Sequence, residues 1–249
     1  MQGFDKQYKD LPDYILKCTN QIWESRDIAA IGWHYAENIQ IRTPITYSEG
    51  NWSGITNTME TLFEFPDRQL FGEDVIWSEH PDYGYLSSHR IVSEATHRQD
   101  GMFGPASGKR LRFRTIADTN CIENAIHEEW LVRDLGAMAR QIGLHPREMA
   151  AQMIEAEGGH EKAKHPFTPS ADKPGRYKST GNGNEWGQKA ADLLQRIMKT
   201  EFSAITETYD RGCHLAYPGG VEAHSTAPAE AFWLGLRSAY PNAEFGVDH

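Results

Sequence analysis

Between residues 69 and 132 this chain offers four extended stretches in a row: 69–78, 84–97, 109–117 and 122–132. Each is rich in β-branched and aromatic residues and bounded by turn formers, which is the pattern of a strand. The breaks fall at Pro81-Asp82-Tyr83-Gly84, at Asp100-Gly101 and at Asp118-Thr119-Asn120. Short connections of this kind join antiparallel neighbours, so the four stretches read as a meander. Ahead of them the pattern is helical. Residues 14–33 carry Ile15, Ile22, Trp23, Ile28 and Ile31 at helix-like intervals, with a break at Ser25 to Asp27. Residues 35–44 are extended, Ile39 and Ile41 alternating with Gln40 and Arg42. Residues 53–63 place Ile55, Met59, Leu62 and Phe63 on one helical face, and Pro66-Asp67 ends that helix. Helices followed by an antiparallel meander make an α+β plan.

The last strand carries the chemistry. Side chains alternate along a strand, so Ile122, Asn124, Ile126, Glu128 and Trp130 share a face. That face is mostly apolar and should look inward, yet it holds the carboxylate of Glu128. A carboxylate aimed into an apolar cavity has a raised pKa and can carry a proton. On this parity Glu129 and His127 lie on the opposite face, towards an interface or solvent. The bland alternative for Glu128 is a salt bridge to Arg112 or Arg114. His89 and His97 are eight residues apart, on one face of their strand, and either could assist Glu128; the alternative is a hydrogen-bonded sheet histidine. Asp134 follows at the strand-to-helix exit, as a rim carboxylate or as an N-cap. Tyr35 and Trp52, at element ends, are expected at the pocket mouth, with Asn124 and Trp130 as further substrate-binding candidates. Tyr35 could donate a hydrogen bond to an enolate oxygen.

Composition bounds the alternatives. The formal charge of -10 over 249 residues argues against general nucleic-acid binding, which needs a basic footprint. No apolar run is long enough for a membrane span, and the first residues have no signal-peptide core. Cys18, Cys121 and Cys213 are isolated, so neither a disulfide framework nor a cysteine metal knuckle is expected, and a reducing cytoplasm is the simple reading. The eleven histidines are scattered. No metal site, nucleophilic serine elbow or phosphate loop stands out, so no cofactor is expected.

Residues 158–187 are rich in Gly, Pro, Lys and Ser and read as a tether, with Gly181-Asn182-Gly183 a flexible turn. Residues 186–209 then read as helical, and the beginning of the chain recurs. At an offset of 174, Ala30-Ile31 meets Ala204-Ile205, Tyr35 meets Tyr209 and Pro44 meets Pro218; one residue further on, Phe65-Pro66-Asp67 meets Tyr240-Pro241-Asn242. The domains expected are residues 1–150, a linker at 151–185, and a partial second copy at 186–249. Half a domain cannot bury its helix face alone. Either the sequence is a truncated reading of a longer two-domain protein, or those helices dock on the first domain or on a second subunit.

The hairpin residues Thr96, His97, Gly101, Phe103, Gly104, Pro105, Gly108 and Lys109 resemble the middle hairpin of the SnoaL-like polyketide cyclases, within the nuclear transport factor 2-like superfamily. The ending is similar too: Ile126, Glu128, Trp130, Asp134, then Ala139-Arg140-Gln141-Ile142-Gly143. The hairpin departs at Ala106-Ser107, where the family usually shows Pro-Thr. The resemblance spans residues 12–146. It implies a cone-shaped, curved antiparallel sheet wrapped over N-terminal helices, with one internal pocket for a small hydrophobic ligand or substrate. It also implies cyclase or isomerase chemistry without a cofactor, and a homodimer formed through the sheet. The superfamily also hosts hydrolases, dehydratases and non-catalytic binding modules, so fold does not settle function.

Overall fold

The computed structural model describes residues 1–163, 168–178 and 183–247, so Gly181-Asn182 of the expected linker turn lie outside the described residues. The chain divides into two compact units, Met1–Tyr177 and Lys178–His249.

In the first unit helix α1 (Leu11–Thr19) starts on Asp10, whose side chain accepts the Asp13 N–H at 2.8 Å, with Pro12 in the first turn. A π-helical turn, Asn20–Glu24, prolongs it. The expected break follows where Arg26 takes a φ of 60°, and a short 3-10 turn leads into α2 (Ile31–His34). Strands β1 (Tyr35–Thr43) and β2 (Thr46–Glu49) form a hairpin, and α3 (Asn51–Glu64) follows. The meander is β3 (Gln69–His80), β4 (Gly84–Thr96), β5 (Arg110–Ile122) and β6 (Ala125–Arg133). Helices α4 (Leu135–Ile142) and α5 (Pro146–Ala156) come next.

The strands make one curved sheet in the order β2-β1-β6-β5-β4-β3. Strand β1 joins β6 in parallel; the other four pairings are antiparallel. The apolar stripe of α1 and α2 (Leu11, Ile15, Cys18, Ile31) buries against Ile39, Ile41 and Ile126 of the sheet. A second cluster packs Met138 and Ile142 of α4 on Leu111 and Phe113.

The turn expected at Asp118-Thr119-Asn120 is corrected. These residues continue β5 and pair with Trp130, Glu129 and Glu128. Two of their side chains are held inside the sheet: Asn120 Nδ2 donates to the Tyr83 carbonyl at 2.6 Å, and the Thr119 and Ser87 hydroxyls lie 2.7 Å apart. The turn is instead at Glu123 and Asn124, both with positive φ (50° and 65°), as a tight hairpin turn requires.

The second unit holds α6 (Glu185–Met198), α7 (Ser203–Thr208), the hairpin β7 (His214–Tyr217) and β8 (Val221–His224), and α8 (Thr226–Ala239). The continuous helix expected over 186–209 is broken where Thr200 takes a φ of 70°. Ile197, Ile205, Leu215 and Ala229 form its small core. Its element order is that of α1 to α3. The starts of β8 and α8, at Val221 and Thr226, each lie 175 residues beyond those of β2 and α3, at Thr46 and Asn51. The residues preceding α3 and α8, Gly50 and Ser225, both have positive φ. Among the described residues no helix is long and apolar enough to cross a membrane.

Candidate functional site

Strand β6 does not keep a strict alternation. Ile126 pairs with Cys121 and Glu128 with Asn120, so one extra residue, His127, bulges from β6. An extra residue flips every later side chain to the other face of the sheet. Ile126 therefore points inward together with Glu129, Leu131 and Arg133, while Glu128 and Trp130 belong to the outer face. The inward parity expected for Glu128 is corrected accordingly, and Glu129 takes the place it was given.

Glu128 is buried all the same, under a strap of residues 172–177. Its Oε2 lies 3.0 Å from Arg42 Nη1, and its Oε1 accepts the Tyr177 N–H at 2.7 Å. Arg42, of β1, also binds Asp172 Oδ1 at 2.7 Å and the Lys173 carbonyl at 2.9 Å, and its guanidinium lies 5.1 Å from the Trp130 ring centre. The partner of Glu128 is thus Arg42 rather than Arg112 or Arg114, and Arg114 pairs with Glu73. A Cβ on Gly175 would stand 1.9 Å from Glu128 Oε2, so only glycine lets the strap close on the carboxylate.

A cavity of about 80 Å³ lies between the inner face of the sheet, α1 with its π turn, and α3. It has room for about five to eight water-sized groups. Its walls are largely apolar (Ile15, Ile22, Ile41, Ile91, Leu131), and a few polar groups converge in it: Glu129, Tyr35, His89, Arg68 and Arg133. The Tyr35 hydroxyl donates to both Glu129 oxygens at 3.2 Å. Burial pushes the Glu129 carboxyl up to about 7, against the opposing pull of the Tyr35 hydrogen bond and the Arg133 charge. Burial raises the Tyr35 phenol well above its usual value, so it remains a donor. Burial pushes His89 down to about 4, so it is a neutral imidazole near neutral pH, with Nε2 free of hydrogen-bond partners. Trp23 carries both cations on its ring, with Arg68 at 4.4 Å and Arg133 at 5.7 Å from the centre.

The fold brings Tyr35 to Glu129 and places His89 in the lining of the same cavity. The other candidates lie elsewhere. Trp52 is 74% exposed on α3 rather than in a pocket. Asn124 sits in the β5–β6 turn, where its Oδ1 accepts the Asp5 N–H at 2.9 Å and its carbonyl accepts the Tyr14 hydroxyl at 2.7 Å. Asp134 caps α4, accepting the Ala137 N–H at 2.9 Å. His97 shares a face with His89 but is outside the cavity lining; its Nε2 is 3.1 Å from Glu64 Oε1. Glu64 in turn accepts the N–H groups of Met102 and Phe103 at 3.2 and 3.0 Å, pinning the Gly101–Gly104 loop. A Cβ on Gly101 would come within 2.3 Å of the Glu64 carboxyl carbon. Gly101→Ala is therefore expected to cost about 1–3 kcal/mol as an overpacked site; a thermal melt equal to wild type would contradict this.

Arg68 and Arg133 escaped the sequence reading. Arg68 stands just ahead of β3 beside Pro66-Asp67, where an arginine looks solvated, and Arg133 closes β6, where only the bulge decides its face.

The sequence profile of SnoaL-like polyketide cyclases matches residues 14–142, just over half of the chain. The chain belongs to this family. No curated protein matches it. Solved structures similar to this family member include AclR of Streptomyces galilaeus, a proposed hydroxylase (20% identity, TM-score 0.46, covering 52% of this chain and 92% of AclR). Another is a proposed SnoaL-like polyketide cyclase from Jannaschia sp. (14%, TM-score 0.47, 54% and 92%). A third is a SnoaL-like polyketide cyclase from Agrobacterium tumefaciens (18%, TM-score 0.44, 54% and 99%). At identities and TM-scores this low, membership rests on the profile.

Proposed function

We propose that this SnoaL-like protein is a general acid/base enzyme of the cyclase or isomerase type, acting on a small carbonyl compound with Glu129 as the proton carrier. The observation that carries this reading is a buried carboxyl of pKa about 7 facing an apolar cavity under a phenol donor. A group that titrates near the working pH is competent both to take and to return a proton. Glu129 removes a proton from the carbon beside the carbonyl. The Tyr35 hydroxyl holds both carboxylate oxygens and fixes their direction. The negative charge that develops on the substrate oxygen is met by the Arg133 guanidinium and the free His89 imidazole. Protonation at a different carbon gives an isomer; attack of the enolate on a second carbonyl closes a ring. Electrons and protons balance within the substrate and Glu129. On this reading Glu128, His97 and Asp134 serve the framework.

The test is exchange of substrate α-hydrogens for deuterium, followed by NMR over a panel of small ketones and keto acids. Exchange that depends on Glu129 supports the reading, and its absence across the panel turns the cavity into a binding site without turnover.

We also read the second unit as a partial copy of the first, on its shared element order and on the 175-residue offset common to β2 and α3 and their counterparts β8 and α8; an experimental structure in which α6 to α8 fail to superpose on α1 to α3 would end that. The homodimer reading has its surface on the outer face, where Ile116 (42% exposed) and its cross-strand neighbour Val132 (52%) stand open. Sedimentation velocity is expected to return a dimer that a charged residue at Ile116 dissociates.

A further inference from the structure

The cavity holds more positive charge than its own residues answer. Arg68 is only 2% exposed, among the largest fully buried side chains of the molecule. Its Nε and Nη2 share one acceptor, the Ser93 hydroxyl, at 3.2 and 3.1 Å, and its Nη1 has no partner. Arg133 gives one Nη1 contact to the Thr61 hydroxyl at 3.3 Å, and its buried Nε is likewise unpartnered. Among the described residues no carboxylate forms an ion pair with either arginine. Glu24, the nearest acid to Arg68 in charge terms, has its carboxylate on the Leu70 N–H, and Arg26 adds another cation by binding the Arg68 and Pro66 carbonyls. Glu129 is the cavity's acid.

A buried guanidinium without a carboxylate is costly, and a chain that needed only packing there would do better with an apolar side chain. Such a group is retained where a ligand completes it. The planar fork of an arginine matches a carboxylate with two parallel hydrogen bonds. The Trp23 ring under both cations leaves Arg68 Nη1 and Arg133 Nε without partners.

We propose that the ligand of this cavity is a small organic acid, whose carboxylate pairs with Arg68 and whose carbonyl lies towards Glu129. This rests on the cavity being the ligand site, as read above, and does not depend on turnover. The apolar walls take the carbon skeleton; the acid end supplies the charge that Arg68 lacks. The cavity volume confines the skeleton to a few carbons.

The experiment compares a keto acid with its own ester. Levulinate and methyl levulinate have the same ketone and nearly the same shape, and differ in the negative charge. Calorimetric titration of the full chain at low ionic strength is expected to show levulinate binding at least about tenfold tighter than the ester, the effect of one charge-assisted pairing. Arg68→Met should erase that preference, while Arg68→Lys should keep part of it. The empty Arg68→Met protein should melt no lower than wild type, because a buried charge has been removed. Equal binding of acid and ester to the wild type overturns the proposal, as does binding of neither, and as does a preference that survives Arg68→Met. The wild-type comparison decides even if a variant does not fold. Failure of the catalytic reading looks different: levulinate would bind through Arg68 without deuterium exchange. Exchange of the ester in preference to the acid would leave catalysis standing and remove the anion site.

Discussion

Glu129→Gln is expected to lower the rate of α-hydrogen exchange or ring closure by about 10²- to 10⁴-fold, the usual contribution of a positioned acid/base group. The glutamine keeps the volume of the side chain and can still meet the Tyr35 hydroxyl, so the loss reports the proton carrier rather than the packing. The same substitution is expected to stabilise the protein in mild alkali. Between about pH 4.5, where a free carboxyl ionises, and about pH 7, where Glu129 does so in the fold, the unfolded chain has lost its proton and the folded one has kept it. The unfolded state then binds fewer protons, so the free energy of unfolding falls as the pH rises through this window and stays low above it. The penalty is up to about 3 kcal/mol, at 1.36 kcal/mol for each pH unit. The variant lacks this group, so its advantage over wild type should be largest near pH 8 and shrink towards pH 5. Urea unfolding of both proteins at the two pH values measures it. A pH-independent difference would mean that Glu129 is not a buried neutral acid.

Glu128→Ala is expected to act on stability. It strands Arg42, 4% exposed, against the strap and leaves the Tyr177 N–H without its acceptor. Removing one partner of a buried ion pair costs about 3–5 kcal/mol, because the other charge stays buried. Asp172 still holds Arg42 Nε, which favours the lower end of that range. The double replacement Arg42→Met with Glu128→Leu should recover most of the loss, since the one charge it leaves unpaired, Asp172, is exposed. Proteolysis within residues 172–177 should quicken in the single variant, and α-hydrogen exchange by the protein that remains folded should be kept. A single variant as stable as wild type would show that the strap is held by other contacts; loss of exchange in folded protein would return Glu128 to the chemistry.

These two carboxylates are neighbours in sequence and lie on opposite faces of one strand. The two helices ahead of the sheet and the meander were legible, because apolar periodicity and turn formers are local signals. A local signal also misled: Asp118-Thr119-Asn120 has the composition of a turn, but its pairing with Trp130, Glu129 and Glu128 keeps it within β5.

The choice between Glu128 and Glu129 was of another kind. Counting alternate residues from Ile122 gives the wrong face, because the hairpin turn at Glu123 and Asn124 and the extra residue His127 both intervene. A bulge is fixed by how β6 registers against β5 and β1, two strands that come from different parts of the chain, and no residue of the Ile126-His127-Glu128-Glu129 run announces it. Arg68 and Arg133, distant along the chain, meet over Trp23 for the same reason. The chain's local chemistry thus decided which helices and strands form and in what order. Register and packing, which are long-range, decided which carboxylate enters the cavity and which is sealed beneath the strap.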